Sequence, residues 1–265
     1  MGSQARIIDL TLPLSLRTTP CTIYPGDPPL RITSHAAVEK DGYAVHDLHL
    51  GTHTGTHVDA PAHFIKGGRT TDRIGPEELR GLALVVDLTQ GGTVELEDRR
   101  KVEWKDLEQA WEASAREKAS ANLSERVESG DYSMLLVHTG WSTSRYPPSS
   151  SSNGSFDPST FFSHPYFASS IAQRLTSPSS KIRLFGCDTP NPDETPYNGE
   201  GGADGYAFHE VLLGGDGLIA ENLTELAELR KADPGGNWIV NMIPLKIEGV
   251  DGSPIRAFAH PRGVS

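Results

Sequence analysis

The sequence predicts an α/β or α+β domain built around a central sheet, and three observations lead there. Short apolar runs rich in β-branched residues recur along the chain, each bounded by Gly, Pro or Asp in the manner of strands. Longer stretches with helical spacing lie between them. The 265 residues, 36% of them hydrophobic, suffice for one large core and are few for two.

In chain order the expected strands are Arg6–Leu10, Leu30–Ser34, Leu82–Asp87, Met134–His138, Ile182–Phe185, Trp238–Ile243 and Ile255–Ala259. The clearest helix spans Trp104–Val127, where Leu107, Ala110, Trp111, Ala115 and Ala119 trace one stripe. Phe161–Leu175 and Asn222–Arg230 are weaker helical stretches. His164, which precedes Pro165, is expected at a helix start, because Pro suits a first helical turn. Pro147–Ser155 (PPSSSSNGS) reads as a surface loop within a single domain covering residues 1–265. The glycine-rich Gly199–Gly205 lacks the Gly-Lys-Ser/Thr ending of a phosphate loop and reads as a flexible lip.

Composition removes several classes of function. A net charge of −11 argues against nucleic acid as a partner, since neutralising phosphates needs a basic surface. Arg99-Arg100-Lys101 fits a solvated face better. Cys21 and Cys187 form no CxxC pair and no disulfide framework. No apolar run approaches the roughly 20 residues of a membrane-spanning helix. The N-terminal Met1–Arg6 lacks the apolar stretch of a signal peptide, so a cytoplasmic protein is the expectation.

The chemistry concentrates in the histidines. Of ten, five fall between His46 and His63, in HDLHLGTHTGTHVDAPAHF. On a helix His53 and His57 would share a face, with Asp59 and His63 turned away. Gly51, Gly55 and Pro61 also oppose helix. In an extended chain alternate residues share a side, so His53, His57, Asp59 and His63 project together. Two imidazoles and a carboxylate at short range make a site for Zn²⁺, Mn²⁺ or Fe²⁺, whose charge offsets the desolvation of the ligands. The bland alternative is a strand with surface histidines. It suits any one of these residues better than it suits four in register. His46 and His49 have opposite parity, so at least one should lie at the surface.

The segment His53-x-Gly55-Thr56-His57-x-Asp59-x-Pro61-x-His63-Phe64 resembles the signature of the metal-dependent cyclase family, which includes kynurenine formamidases, isatin hydrolases and certain polyketide cyclases. The resemblance continues in His209-Glu-Val-Leu-Leu-Gly and Ile219-Ala-Glu221-Asn222-Leu223, in Thr139-Gly140-Trp141, in Gly186-Cys187-Asp188-Thr189-Pro190, and in Ser253-Pro254-Ile255-Arg256-Ala257. It implies a compact α/β domain with a mixed sheet flanked by helices, assembled as a homodimer or homotetramer. It implies one or two divalent ions per subunit, zinc before manganese. His53, His57 and Asp59 would bind one ion, while His209 and Glu221 complete the site and Asp59 or Glu221 bridges.

His63 is then the expected general acid/base, since an imidazole near neutral pKa both takes and returns a proton. Asp188 is a weaker candidate, either supporting a ligand or capping a loop. Trp141 is either a pocket wall or a core tryptophan. The implied reaction is hydrolysis of a C–N amide bond in a small molecule, such as an aryl formamide or a cyclic amide. The alternative is condensation of an aromatic or polyketide intermediate.

Overall fold

The computed structural model describes residues 7–16, 22–114, 121–141, 158–232 and 237–263. Pro147–Ser155, Cys21, Ala115 and Ala119 lie outside the described residues. The strands, in chain order, are β1 (Ile8–Asp9), β2 (Arg31–Ala36), β3 (Val45–His49), β4 (His57–Asp59), β5 (Arg80–Asp87), β6 (Lys101–Val102), β7 (Met134–His138), β8 (Tyr166–Phe167), β9 (Leu184–Cys187), β10 (Leu218–Glu221), β11 (Trp238–Pro244) and β12 (Gly252–Pro261).

Near-continuous apolar runs mark β5, β7, β9 and β10, and these four pair in parallel. A strand buried on both faces reads this way because neither parity faces water. Each connection between them carries at least one helix, as a parallel crossover requires. The antiparallel strands β11, β12 and β4 complete the order β12-β11-β5-β7-β9-β10-β4. β12 also pairs with β4, so these seven strands close into a ring, with β1 added along β12. The architecture is α/β with a mixed, barrel-like sheet.

Alternation along the strands sorts side chains into two layers. Val58, Val85, Leu136, Leu184, Ala220, Val240 and Ala257 belong to one apolar cluster that draws on all seven strands and fills the ring. Val86, Val137, Phe185 and Ile219 face outward, against Leu107, Ile171, Phe208 and Leu212 from the covering helices.

Three helical expectations are corrected. Trp104–Val127 is not one helix: Trp104–Ser114 is helical, Ala121 and Asn122 are not, and Leu123–Glu128 starts afresh. Asn122 and Glu125 form a capping box there, each side chain accepting from the other's backbone N–H. Phe161–Leu175 breaks into a helix ending at Phe161, strand β8 and the helix Ser169–Leu175. Pro165 explains the break, because the residue before a proline is pushed out of helical conformation. His164 therefore sits in a loop, buried, with Nδ1 donating to Pro165 O and Nε2 facing Thr195 Oγ1, each at 2.7 Å. The last helix begins at Leu226 instead of Asn222, because Asn222 and Glu225 both adopt left-handed backbone, at φ 55° and 56°.

Strands β2 and β3 pair with one another as a hairpin, and His46 and His49 are both exposed on it. Gly199–Gly205 is tethered: Gly202 N donates to Glu194 Oε2 at 2.8 Å, and Tyr197 bridges to Glu200. No helix among the described residues is long and apolar enough to cross a membrane.

Candidate metal centre

The site forms on the outer face of the ring, at the seam of β4 and β10. Val58 points inward with Ala220, which turns His57 and Asp59 outward. His57 lies directly across from Glu221 in the antiparallel register. The helix Ala207–Gly214 packs over this seam and supplies His209.

The extended reading of the histidine segment holds for His57 and Asp59 and fails on either side. His53 stands in a turn, and His63 ends a short 3-10 helix, Pro61–His63. Pro61 opens that helix, where its missing N–H costs nothing. Gly55 has φ +71°, and a Cβ on it would come within 2.5 Å of Leu14 Cδ2. The turn is pinned from outside, since Thr56 Oγ1 donates to Asn222 O at 2.6 Å and Asn222 Nδ2 donates to Gly55 O at 3.2 Å.

Six predicted residues converge. His57 Nδ1 donates to Gly55 O at 2.8 Å, leaving Nε2 at 3.2 Å from Asp59 Oδ1 and 3.3 Å from Glu221 Oε2. His53 Nδ1 lies 2.7 Å from Asp59 Oδ1. His209 Nε2 lies 3.4 Å from Asp59 Oδ2 and 3.3 Å from Glu221 Oε1. Both carboxylates thus present one oxygen to each of two nitrogen groups. His63 stacks on His53 with ring centroids 3.9 Å apart and opens into the same cavity.

These residues fit a divalent ion. Asp59 Oδ2 is buried and makes no hydrogen bond, a costly state for a carboxylate oxygen unless a cation satisfies it. Candidate donor atoms of His53, His57 and Asp59 lie within 4.8 Å of one another, as do those of Asp59, His63 and His209. The electrostatics agree. Burial opposes charge on the imidazoles, yet the facing carboxylates outweigh it. Asp59 and Asp251 raise His53 to about 9, and His57 and His209 are held well above the ordinary range. Burial likewise opposes charge on Asp59 and Glu221, and the imidazoles still hold both below the usual carboxylate range. The cluster is arranged for positive charge, which a metal ion supplies on displacing these protons.

Two acids that sequence reasoning missed complete the arrangement. Asp193 Oδ2 accepts from His209 Nδ1 at 2.7 Å and from His209 N at 3.1 Å, while Oδ1 accepts from Phe208 N at 2.8 Å. It therefore orients His209 and caps its helix from a distant loop. Asp251, just ahead of β12, accepts from His53 and His63. A carboxylate behind a ligating imidazole is a recurrent need of metal sites, and it is the signal that could have prompted a search for both.

Asp188 and Trp141 stand elsewhere. Asp188 accepts from Thr139 N, Thr139 Oγ1 and Gly140 N at 2.7–2.9 Å, tying the exit of β7 to that of β9. Trp141 is buried with Leu12, Phe161 and Phe162, its Nε1 donating to Phe161 O at 3.0 Å. Neither lines the cavity of about 490 Å³ beside the site.

A family model described as "Putative cyclase" matches residues 8–194. The chain belongs to the Cyclase family. As a member of this family it is similar to a kynurenine formamidase of Salinibacter ruber, 27% identical over 257 residues and 95% of each chain. It is likewise similar to a kynurenine formamidase of Bacillus cereus, 28% identical over 96% of this chain and 97% of that one. Among solved structures, isatin hydrolase A from Ralstonia solanacearum superposes with a TM-score of 0.73 at 25% identity, covering 97% of this Cyclase-family chain and 92% of its own. Isatin hydrolase A from Labrenzia aggregata shares the fold, with a TM-score of 0.71.

Proposed function

We propose that the protein is a metal-dependent hydrolase of a non-peptide C–N amide bond, acting on an aryl formamide such as N-formylkynurenine or a cyclic amide such as isatin. One observation carries the reading: three imidazoles and two buried carboxylates meet beside a cavity of small-molecule size, around a carboxylate oxygen that lacks a hydrogen bond. The kynurenine formamidases that resemble the chain along nearly its full length support the reaction class.

His53, His57 and Asp59 would hold one ion, and His209 and Glu221 would complete that site or hold a second. Nitrogen and oxygen donors without thiolate suit zinc first and manganese second. A divalent ion held there would polarise a carbonyl and lower the pKa of water into the neutral range. The protein's own groups do the rest. His63 hydrogen-bonds through Nδ1, which leaves Nε2 to exchange a proton with the departing nitrogen. Phe64 stacks on His209 at 4.7 Å and shields it from water, while Tyr24 and Tyr206 share a 3.0 Å hydrogen bond on the cavity wall. A homodimer or homotetramer belongs to the same proposal, supported by exposed Ile32, Val45 and Leu48 on the β2–β3 hairpin.

Elemental analysis and turnover of N-formylkynurenine and isatin, on one purified sample with and without chelator, test the proposal. The expected result is one or two equivalents of zinc or manganese, with activity lost to chelator and restored by metal. Hydrolysis adds the mass of water to the substrate, whereas condensation loses it, so product mass separates the two reactions. A protein that neither carries nor takes up metal would sink the reading.

A further inference from the structure

One oxygen of Asp251 holds two imidazoles with different tasks. Oδ2 accepts from His53 Nε2 at 3.0 Å and from His63 Nδ1 at 3.1 Å. The other oxygen accepts from Thr52 Oγ1 at 3.0 Å, and the backbone carbonyl of Asp251 accepts from Ala60 N at 2.8 Å. Asp251 is thus held from both ends of the segment that carries the candidate ligands, its carboxylate by Thr52 and its backbone by Ala60. The rings it joins stack with an interplanar angle of 30°. Gly252 makes the approach possible, because a Cβ there would lie 2.6 Å from His53 Cε1.

We propose that Asp251 is a positioning residue for His63. By accepting from Nδ1–H it fixes the tautomer in which Nε2 exchanges the proton, and through His53 it ties that ring to the metal centre. This rests on the hydrolytic reading above. During hydrolysis the attacking water gives its proton to His63 Nε2 as oxygen bonds to the amide carbon. The C–N bond then breaks with its electron pair leaving on nitrogen, and Nε2 passes the proton to that nitrogen. Nδ1 keeps its own proton throughout, held by Asp251. Because Oδ2 binds both rings at nearly equal distance, a shift of His53 away from Asp251 would be felt at His63.

The test is Asp251→Asn in the metal-loaded enzyme, with metal content, steady-state kinetics on aryl formamides of graded amine basicity, and NMR of ¹⁵N-labelled histidine in the zinc form. With metal supplied in excess, since His53 also loses a carboxylate partner, the expected outcome is a kcat lowered about 10- to 100-fold, the usual cost of removing a supporting carboxylate. KM should stay within about 3-fold, by the logic that an interaction made in the transition state acts on kcat. The loss should be largest for the most basic amine leaving groups, and it should add little in a His63→Gln background. The spectrum of wild-type His63 should be that of the Nδ1–H tautomer, moving toward Nε2–H in Asp251→Asn.

A wild-type His63 in the Nε2–H form would overturn the proposal. So would fully additive effects of Asp251→Asn and His63→Gln at saturating metal. An enzyme that turns over neither an aryl formamide nor a cyclic amide would count against the hydrolytic reading instead, and the tautomer spectrum alone would then decide the role of Asp251.

Discussion

Asp193 shows how much a single side chain can hold. Its two oxygens accept from two backbone N–H groups at the start of the helix Ala207–Gly214 and from the His209 ring. Asp193→Asn keeps the size and removes the charge that favours donation from His209 Nδ1. Metal binding should weaken by about 10- to 100-fold, the usual effect of losing a carboxylate behind a ligand, as read by titration against a competing chelator. Unchanged affinity would show that the helix alone orients His209. The sequence made His53, His57, Asp59 and His63 legible because they share one short segment with unusual density. Asp193 and Asp251 were illegible for the converse reason. Each is a lone carboxylate in a loop, joined to its histidine across 16 residues in one case and 188 or more in the other, with no spacing that marks it. His209 and Glu221 were reached through the family resemblance, since their separation in sequence says nothing of β4.

Among the elements, β12 does more than its length suggests. Ile255–Pro261 pairs with β11, Gly252–Pro254 pairs with β4, and the residue before the strand is Asp251. Gly252→Ala would drive a methyl group against the His53 ring, 2.6 Å from Cε1 and 3.0 Å from Nδ1. We expect reduced metal content and a stability loss of about 1–3 kcal/mol, the common cost of overpacking, from elemental analysis and urea unfolding. Full metal content with unaltered unfolding would mean that His53 has room to retreat. Long apolar strands such as β5 and β7 were plain in the sequence, because burial on both faces leaves an uninterrupted run. β10 was not among the expected strands, since it is only four residues long and Glu221 and Asn222 follow its apolar start. β3 was hidden because all five of its residues are exposed, so no buried face imposes a pattern.

At the scale of the whole molecule, acid stability can be followed through His164. Burial holds its pKa down at about 4, from an ordinary 6.5, and both ring nitrogens are satisfied in the neutral form. The unfolded chain therefore takes up this proton first as pH falls. The stabilisation is complete above about pH 6.5 and declines as pH drops toward 4, by up to about 3 kcal/mol. Unfolding of wild type and His164→Gln between pH 7.5 and 4.5 should show wild type losing its advantage on acidification. A gap that stays constant across that range would refute the assignment. The α/β class was legible from alternating runs and helical stretches. Closure of the ring was not, because it depends on β4 meeting β12, a three-residue strand and a partner nearly 200 residues later.

That closure has a consequence for aggregation. An open sheet ends in unpaired N–H and C=O groups, which recruit strands from other chains. Here β12 lies against β4 on one side and β11 on the other, and each would become an exposed edge without it. A nascent or damaged chain in which β12 has not docked thus shows two sticky borders flanking an apolar interior, and this one strand seals them both.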